Sequence, residues 1–247
     1  MQISKGDIFQ LGNHKIACGD SCNKGLVKKL IMDEQVNLIL SDPPYGIAYV
    51  EGKKGFNELK NKRKIVNDHE QTDREYIDFT KNWVEVLIPH LASKNTYYIF
   101  NSDKMIFALR NALVGSDFKF SQLLVWIKNH AIVGRLDYCP QHELIAYGWY
   151  GTHSFKKSKD KSLIYYPKPH KSTLHPTMKP VGLLRRLILN SSSVNDVVFD
   201  PFLGSGSTLI ACEQTKRVCL GLEIDPDYCQ TIINRFEKVT GIKAKKV

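Results

Sequence analysis

The feature that most constrains the fold lies near the end of the chain. Val197 to Phe199 is a compact apolar run, followed by Asp200-Pro201-Phe202-Leu203-Gly204-Ser205-Gly206, a helical stretch, and a second apolar run from Val218 to Leu222. That order reads as strand, glycine-bearing turn, helix, strand. Two strands joined through a helix lie parallel in one sheet, with helices packed over it. Glycines in the turn let the backbone bend tightly and approach a ligand closely. The second strand runs into Gly221-Leu222-Glu223-Ile224-Asp225. In nucleotide-binding folds an acid at this tip takes ribose hydroxyls.

The turn departs from the dinucleotide pattern, because residue 209 is Leu where a third glycine belongs, and Asp200 stands in the turn itself. A carboxylate there repels a pyrophosphate and attracts an ammonium. S-adenosylmethionine carries an ammonium, a sulfonium and a ribose, so it suits this turn better than a dinucleotide does.

The rest of the chain alternates strands and helices. Asp7 to Ala17 reads as a hairpin turned at Gly12-Asn13, and Ser21 as the cap of a helix reaching about Met32. Val36 to Leu40 reads as a buried strand, Thr72 to Leu91 as a helix, Thr96 to Phe100 as a strand and Asp103 to Val114 as a helix. Phe118 to Ile127 and Glu143 to Tyr150 read as strands, and the pattern breaks between Gly151 and Lys179. Pro180 opens a helix to about Leu189, and a last helix starts at Pro226. The fold class is therefore α/β, with a mostly parallel sheet and helices on both faces.

A length of 247 residues suits one domain, and the expected division is a catalytic half to about residue 127, an insert at 128–171 and a cofactor half from 172. Lys and Arg outnumber Asp and Glu by 35 to 25, a net charge of +10 that suits a polyanionic partner. The 6 cysteines form no CxxC pair and no histidine pair has zinc-ligand spacing, so reduced thiols, no metal and an intracellular, cytoplasmic setting are expected. No apolar run approaches the roughly 20 residues of a membrane helix, and no leader sequence is expected, since Met1 to Asp20 carries no continuous apolar stretch.

Asp42-Pro43-Pro44-Tyr45 follows the strand Val36 to Leu40 directly. Ligands bind at the carboxyl ends of strands in open α/β sheets. The residue types fit methylation of an exocyclic amine on a nucleobase. Such a nitrogen is a poor nucleophile because its lone pair is delocalised into the ring. A carboxylate (Asp42) and a carbonyl stiffened by proline (Pro43) can accept its two N–H bonds and turn the lone pair toward a methyl donor. Tyr45 offers an aromatic face to a base taken out of the stack.

With these motifs the chain resembles the amino-methylating DNA methyltransferases, specifically their β group, in which Asp-Pro-Pro-Tyr precedes the Phe-x-Gly-x-Gly turn. The resemblance covers about Lys5 to Thr240 and includes His175-Pro176-Thr177-Met178-Lys179-Pro180. It implies a Rossmann-like methyltransferase fold with circularly permuted motif order, a small target-recognition insert, and S-adenosylmethionine as cofactor. It implies that Asp42, Pro43, Pro44 and Tyr45 are catalytic. Asp200, Phe202, Gly204, Ser205 and Gly206 would hold the methionine end, with Thr177 and Lys179 near its carboxylate. Glu223 would bind the ribose and Asp20 the adenine; Asp20 also reads as an ordinary turn acid. The substrate implied is DNA, at adenine N6 more than cytosine N4. A homodimer and a cognate restriction endonuclease are partners that the resemblance suggests and no residue establishes.

A base inside a duplex has to be flipped out to reach a methyl donor. The basic loop with Lys53, Lys54, Lys60, Lys62, Arg63 and Lys64 is expected to grip phosphates, as are Arg135, Lys156 and Lys157. His130, Arg135, Tyr138, Gln141 and His142 are of types that read base edges, while His142 and Glu143 read equally as satisfied strand residues. Trp126 reads as core rather than as a stacking platform.

Overall fold

In β3 (Val36–Ser41) and β4 (Leu91–Asn101), successive side chains go to opposite faces of one sheet: Leu38, Leu40, Tyr98 and Phe100 join one apolar cluster, and Ile39, Tyr97 and Ile99 the other. A strand buried on both faces reads as a continuous apolar run, which is why these segments show no polar alternation. The computed structural model describes residues 2–46, 69–131, 137–157, 160–168 and 178–247.

The remaining strands are β1 (Ile8–Leu11), β2 (His14–Cys18), β5 (Phe118–Ile127), β6 (His142–Tyr150), β7 (Leu163–Tyr165), β8 (Val197–Asp200), β9 (Val218–Glu223) and β10 (Lys245–Lys246). They form one sheet in the order β10-β1-β2-β9-β8-β3-β4-β6-β5-β7. The central run β2-β9-β8-β3-β4 is parallel throughout. β6 pairs antiparallel with β4 and with β5. Helices α1 (Lys24–Ile31), α2 (Asp73–Leu87) and α3 (Ile106–Gly115) cover one face, and α4 (Val181–Ser191), α5 (Ser207–Thr215) and α6 (Pro226–Thr240) the other. The α/β class with helices on both faces is thus observed.

Several boundaries differ from the sequence expectation, each for a local reason. α1 starts at Lys24 under an Asn23 cap, whose side chain accepts the Leu26 N–H at 3.0 Å. Ser21 is not the cap: Asp20 accepts the Cys22 N–H at 2.9 Å through its side chain and the Asn23 N–H at 3.0 Å through its carbonyl, so 20–23 is a turn. Thr72, the first residue of the expected helix, is the cap of α2, in a reciprocal box with Glu75, and the helix ends at Leu87 rather than Leu91. Pro89 has no N–H to donate, and Ile88–His90 tightens into a 3-10 turn before β4. Within the stretch that shows no pattern, β7 forms by pairing parallel to β5. His14, 1% exposed, ties β2 to α5 and β9: Nδ1 accepts the Cys219 N–H at 2.9 Å and Nε2 donates to Glu213 at 2.8 Å.

Trp126 is core as expected, fully buried, with its indole N–H on the Tyr166 carbonyl at 2.7 Å. The six cysteines carry free thiols. Among the described residues no helix is long and apolar enough to cross a membrane. The expected contacts at Lys53, Lys54, Lys60, Lys62, Arg63, Lys64, Arg135 and Thr177 lie outside the described residues.

Candidate active site

The order of the strands brings three acids to one edge. β8 and β3 are parallel neighbours, as are β8 and β9, so Asp200, Ser41-Asp42 and Glu223 all end at the carboxyl edge of the sheet. The chain leaves β8 toward β9 and β2 on one side and β3 toward β4 on the other. A crevice opens at such a switch point.

The glycine turn is built tightly. The Leu203 N–H reaches the Leu222 carbonyl at 2.9 Å and the Gly206 N–H reaches the Leu203 carbonyl at 2.8 Å. Gly204 and Gly206 take φ of 55° and 78°, the region that disfavours side chains, and a Cβ on Gly206 would stand 3.0 Å from Ile232. Ser205 is buried, and its carbonyl accepts from Arg235 at 2.9 Å, which anchors the turn to α6. Phe202 lies edge-on to Trp83 and tilted against Phe79, so its ring docks the turn onto α2.

Both acids of this turn are buried. Asp200 accepts the Phe202 N–H at 3.0 Å, and burial pushes its carboxyl up to about 7 against the bonds from Thr208 and that amide. Glu223 accepts the Gly204 N–H at 2.8 Å on one oxygen and the Asp225 N–H at 2.9 Å on the other; burial raises it to about 7 too. Neither has an ion-pair partner among the described residues. Two buried carboxylic acids without an ion-pair partner among the described residues, flanking a turn whose two glycines take positive φ, fit a ligand that brings an ammonium and hydroxyl donors. Asp20 is exposed and stands beyond Cys18, which pairs with Glu223, at the same edge. Its carboxylate is engaged in the turn before α1.

Asp42 anchors a second group of charges. One carboxylate oxygen accepts the Tyr45 hydroxyl at 2.7 Å, and the other accepts the ammonium of Lys179. Burial raises the Asp42 carboxyl above the ordinary range against the pull of Lys179, and the nearby Glu143 adds to the rise. The resemblance puts Lys179 beside the cofactor's carboxylate; in the structure its ammonium is engaged by Asp42 and, at 3.2 Å, by Glu143. It is 7% exposed, and burial would lower its pKa, yet the two carboxylates raise it, so it stays charged. Glu143 shares its oxygens between Lys179 and Lys128, the latter at 2.8 Å and 2% exposed. Burial works against the charged form of Glu143, but the two lysines outweigh it and hold the carboxyl at about 2. Tyr45 donates to Asp42 and stands 3.3 Å from Glu143, so its hydroxyl as well as its ring belongs to the site.

Lys128 is not singled out by the sequence, and Glu143, read there equally as a satisfied strand residue, proves to belong to the site. The antiparallel pairing of β6 with β4 and β5 carries Glu143, near the start of β6, to the same edge as the parallel strands' carboxyl ends. A readable signal is an acid and a lysine flanking two strands that pair across a connection. Lys156 and Lys157 are exposed and outside this cluster, and His142 is exposed at the first position of β6. Among the described residues no cluster of three metal-ligating side chains occurs.

Residues 36–235 match the N6/N4 methyltransferase family, described as DNA methylases. The chain belongs to this DNA methylase family. The Type II methyltransferase M.HpaI of Haemophilus parainfluenzae is 25% identical over 85% of this chain and 70% of its own length. M2.MboI of Moraxella bovis, also a Type II methyltransferase, is 24% identical over 85% and 84%. Among solved structures, the M1.HpyAVI–SAM complex superposes with a TM-score of 0.65 at 24% identity, covering 89% of this chain and 98% of that one. The PvuII DNA methyltransferase, described as cytosine-N4-specific, gives 0.72 at 16% identity, covering 94% and 92%. These likenesses show the same fold, and the family membership makes the enzyme a DNA methyltransferase.

Proposed function

We propose that this DNA methyltransferase transfers the methyl group of S-adenosylmethionine to an exocyclic amine of a flipped DNA base, adenine N6 before cytosine N4. The observation that carries the reading is the placement of Asp42 with Pro43, Pro44 and Tyr45 at the tip of β3, beside the uncompensated Asp200 at the tip of β8. The fit of the two buried acids and the family membership support the cofactor, which supplies an electrophilic methyl on a sulfonium. Asp200 would face its ammonium, Glu223 its ribose hydroxyls and Asp20 its adenine.

Asp42 and the Pro43 carbonyl would each accept one amine N–H, which draws the nitrogen toward tetrahedral geometry. Methyl transfer exchanges the donor's S–C bond for an N–C bond, and Asp42 would accept the proton that the methylated nitrogen sheds and pass it to solvent. The Tyr45 ring would stack on the base while its hydroxyl holds Asp42 in orientation. Residues 128–171 would read the sequence around the base, and Lys156 and Lys157 would meet phosphates.

Nucleoside mass spectrometry of mixed-sequence DNA, incubated with the protein and labelled S-adenosylmethionine, tests the reading. Labelled N6-methyladenine is expected. Labelled N4-methylcytosine moves the chemistry to the other base, and an absence of label in any base contradicts the reading.

A pH dependence follows from the two raised carboxyls. Both are half protonated near pH 7 in the free protein, and a cationic, hydroxyl-bearing ligand binds their ionised forms. Binding therefore releases protons, and affinity rises with pH. Each group contributes about a tenfold gain between pH 6 and pH 8, levelling off above. Calorimetry in buffers of different ionisation enthalpy counts the protons; affinity that is flat over this range with no proton release contradicts the assignment of Asp200 and Glu223.

A further inference from the structure

Both oxygens of Asp42 are already in use. Tyr45 donates to one and Lys179 to the other, so an incoming amine shares an oxygen with one of these donors or takes its place. The hydroxyl of Tyr45 is tethered three residues away on the same turn, whereas Lys179 is carried by the segment that leads into α4. If Asp42 were the sole counterion of Lys179, releasing it would strand a buried ammonium, which is strongly unfavourable. Glu143 removes that obstacle, since it stands 3.2 Å from the same ammonium and is itself braced by Lys128 at 2.8 Å. Two carboxylates and two ammoniums balance, so a neutral base can enter without leaving a charge uncompensated. The Lys179 ammonium also lies 5.0 Å from the centre of the Phe100 ring and 5.7 Å from that of Tyr45, which confines it to the neighbourhood of Asp42.

The chemistry of the base supplies the other half of the argument. In adenine and cytosine the exocyclic amine is bonded to a carbon that also bears an unprotonated ring nitrogen, an acceptor. A base whose amine donates to Asp42 brings that acceptor beside Asp42, where Lys179 carries donors. We propose that Lys179 is a base-reading residue: released from Asp42 and held by Glu143, it donates to the ring nitrogen next to the target amine. Asp42 and Lys179 then form an acceptor–donor pair that matches the donor–acceptor edge of adenine or cytosine. Thymine, with a carbonyl and a ring N–H on that edge, is mismatched at both positions. Glu143 is a positioning residue in this arrangement, and Lys128 fixes Glu143. The inference rests on base methylation by this site and adds which group recognises the base.

The test is a double-mutant cycle between protein and base. After the methylated site has been mapped, duplex oligonucleotides are made with 1-deazaadenine at the target position, or 3-deazacytosine if cytosine carries the label. These bases keep the amine and replace the acceptor nitrogen by C–H. With the unchanged chain, the deaza base is expected to lose about ten- to a hundredfold in kcat/KM, because one N–H of the buried ammonium then faces a C–H instead of an acceptor. Lys179→Met is expected to lose a similar factor on the ordinary base and nothing further on the deaza base. Lys179→Gln, which keeps an N–H donor, is expected to retain part of the deaza penalty. Losses that multiply in the Lys179→Met cycle overturn the inference. So does an unchanged chain that methylates the deaza base as fast as the ordinary one, whatever the variants do. An unchanged chain that labels no ordinary base overturns the methyl-transfer reading and the inference with it, which separates the two failures.

Discussion

Asp42→Ala is expected to reduce methyl transfer to DNA by at least about 10²–10³-fold, the range seen when a preorganised partner of a reacting group is removed. The carboxylate is the acceptor that turns the amine lone pair toward the methyl donor, and no other described side chain at the β3 tip replaces it. Lys179 keeps Glu143 as counterion in this variant, so the site does not collapse around an unpaired ammonium. Binding of S-adenosylmethionine is therefore expected to persist, since Asp200 and Glu223 belong to neighbouring strands. Asp42→Asn retains one acceptor oxygen and is expected to lose less. Single-turnover transfer of labelled methyl, with binding measured separately, checks both. Transfer at near-normal rates by the alanine variant would remove Asp42 from the chemistry.

Glu143→Ala is expected to destabilise the fold by about 3–5 kcal/mol, because it leaves Lys128 buried without a partner and Lys179 with only Asp42. Denaturant unfolding measures this. Transfer is expected to fall as well, and a second variant separates the two effects. Glu143→Leu combined with Lys128→Met replaces a buried pair by apolar groups, a change that often restores stability. That double variant still leaves Lys179 with no alternative to Asp42, so it is expected to fold and to remain impaired in transfer. Recovery of transfer along with stability would make Glu143 a structural residue only.

The legibility of the site differs from residue to residue. The Asp200 turn and the Asp42 motif can be read because each is contiguous: an apolar strand, then residues whose own backbone chemistry fixes the turn. Gly204 and Gly206 take the positive φ that glycine tolerates, and Pro43-Pro44 ends a strand because proline cannot extend a ladder. Glu143 could be read either way, because an acid beside a strand start is common and its value depends on what the sheet places opposite. Lys179 was legible as part of a motif, but its partner was not. The cap of α1 falls at Asn23 rather than Ser21 for a similar reason, since Asp20 folds 20–23 into a turn that leaves Asn23 facing the Leu26 amide, and only the geometry of that turn decides it.

The sequence alone determined the α/β class, the two strand-end motifs and the chemistry they suit, because each depends on hydrophobic period and turn residues within a few positions. The tertiary structure decided which charges meet. Lys179 lies 137 residues from Asp42, and Glu143 lies 98 from Tyr45. Nothing local dictates these contacts. They follow from the sheet order, in which an antiparallel β6 delivers the start of one strand to the carboxyl ends of its parallel neighbours. Burial then makes the pairing obligatory, because four charged groups removed from water persist only when they compensate one another.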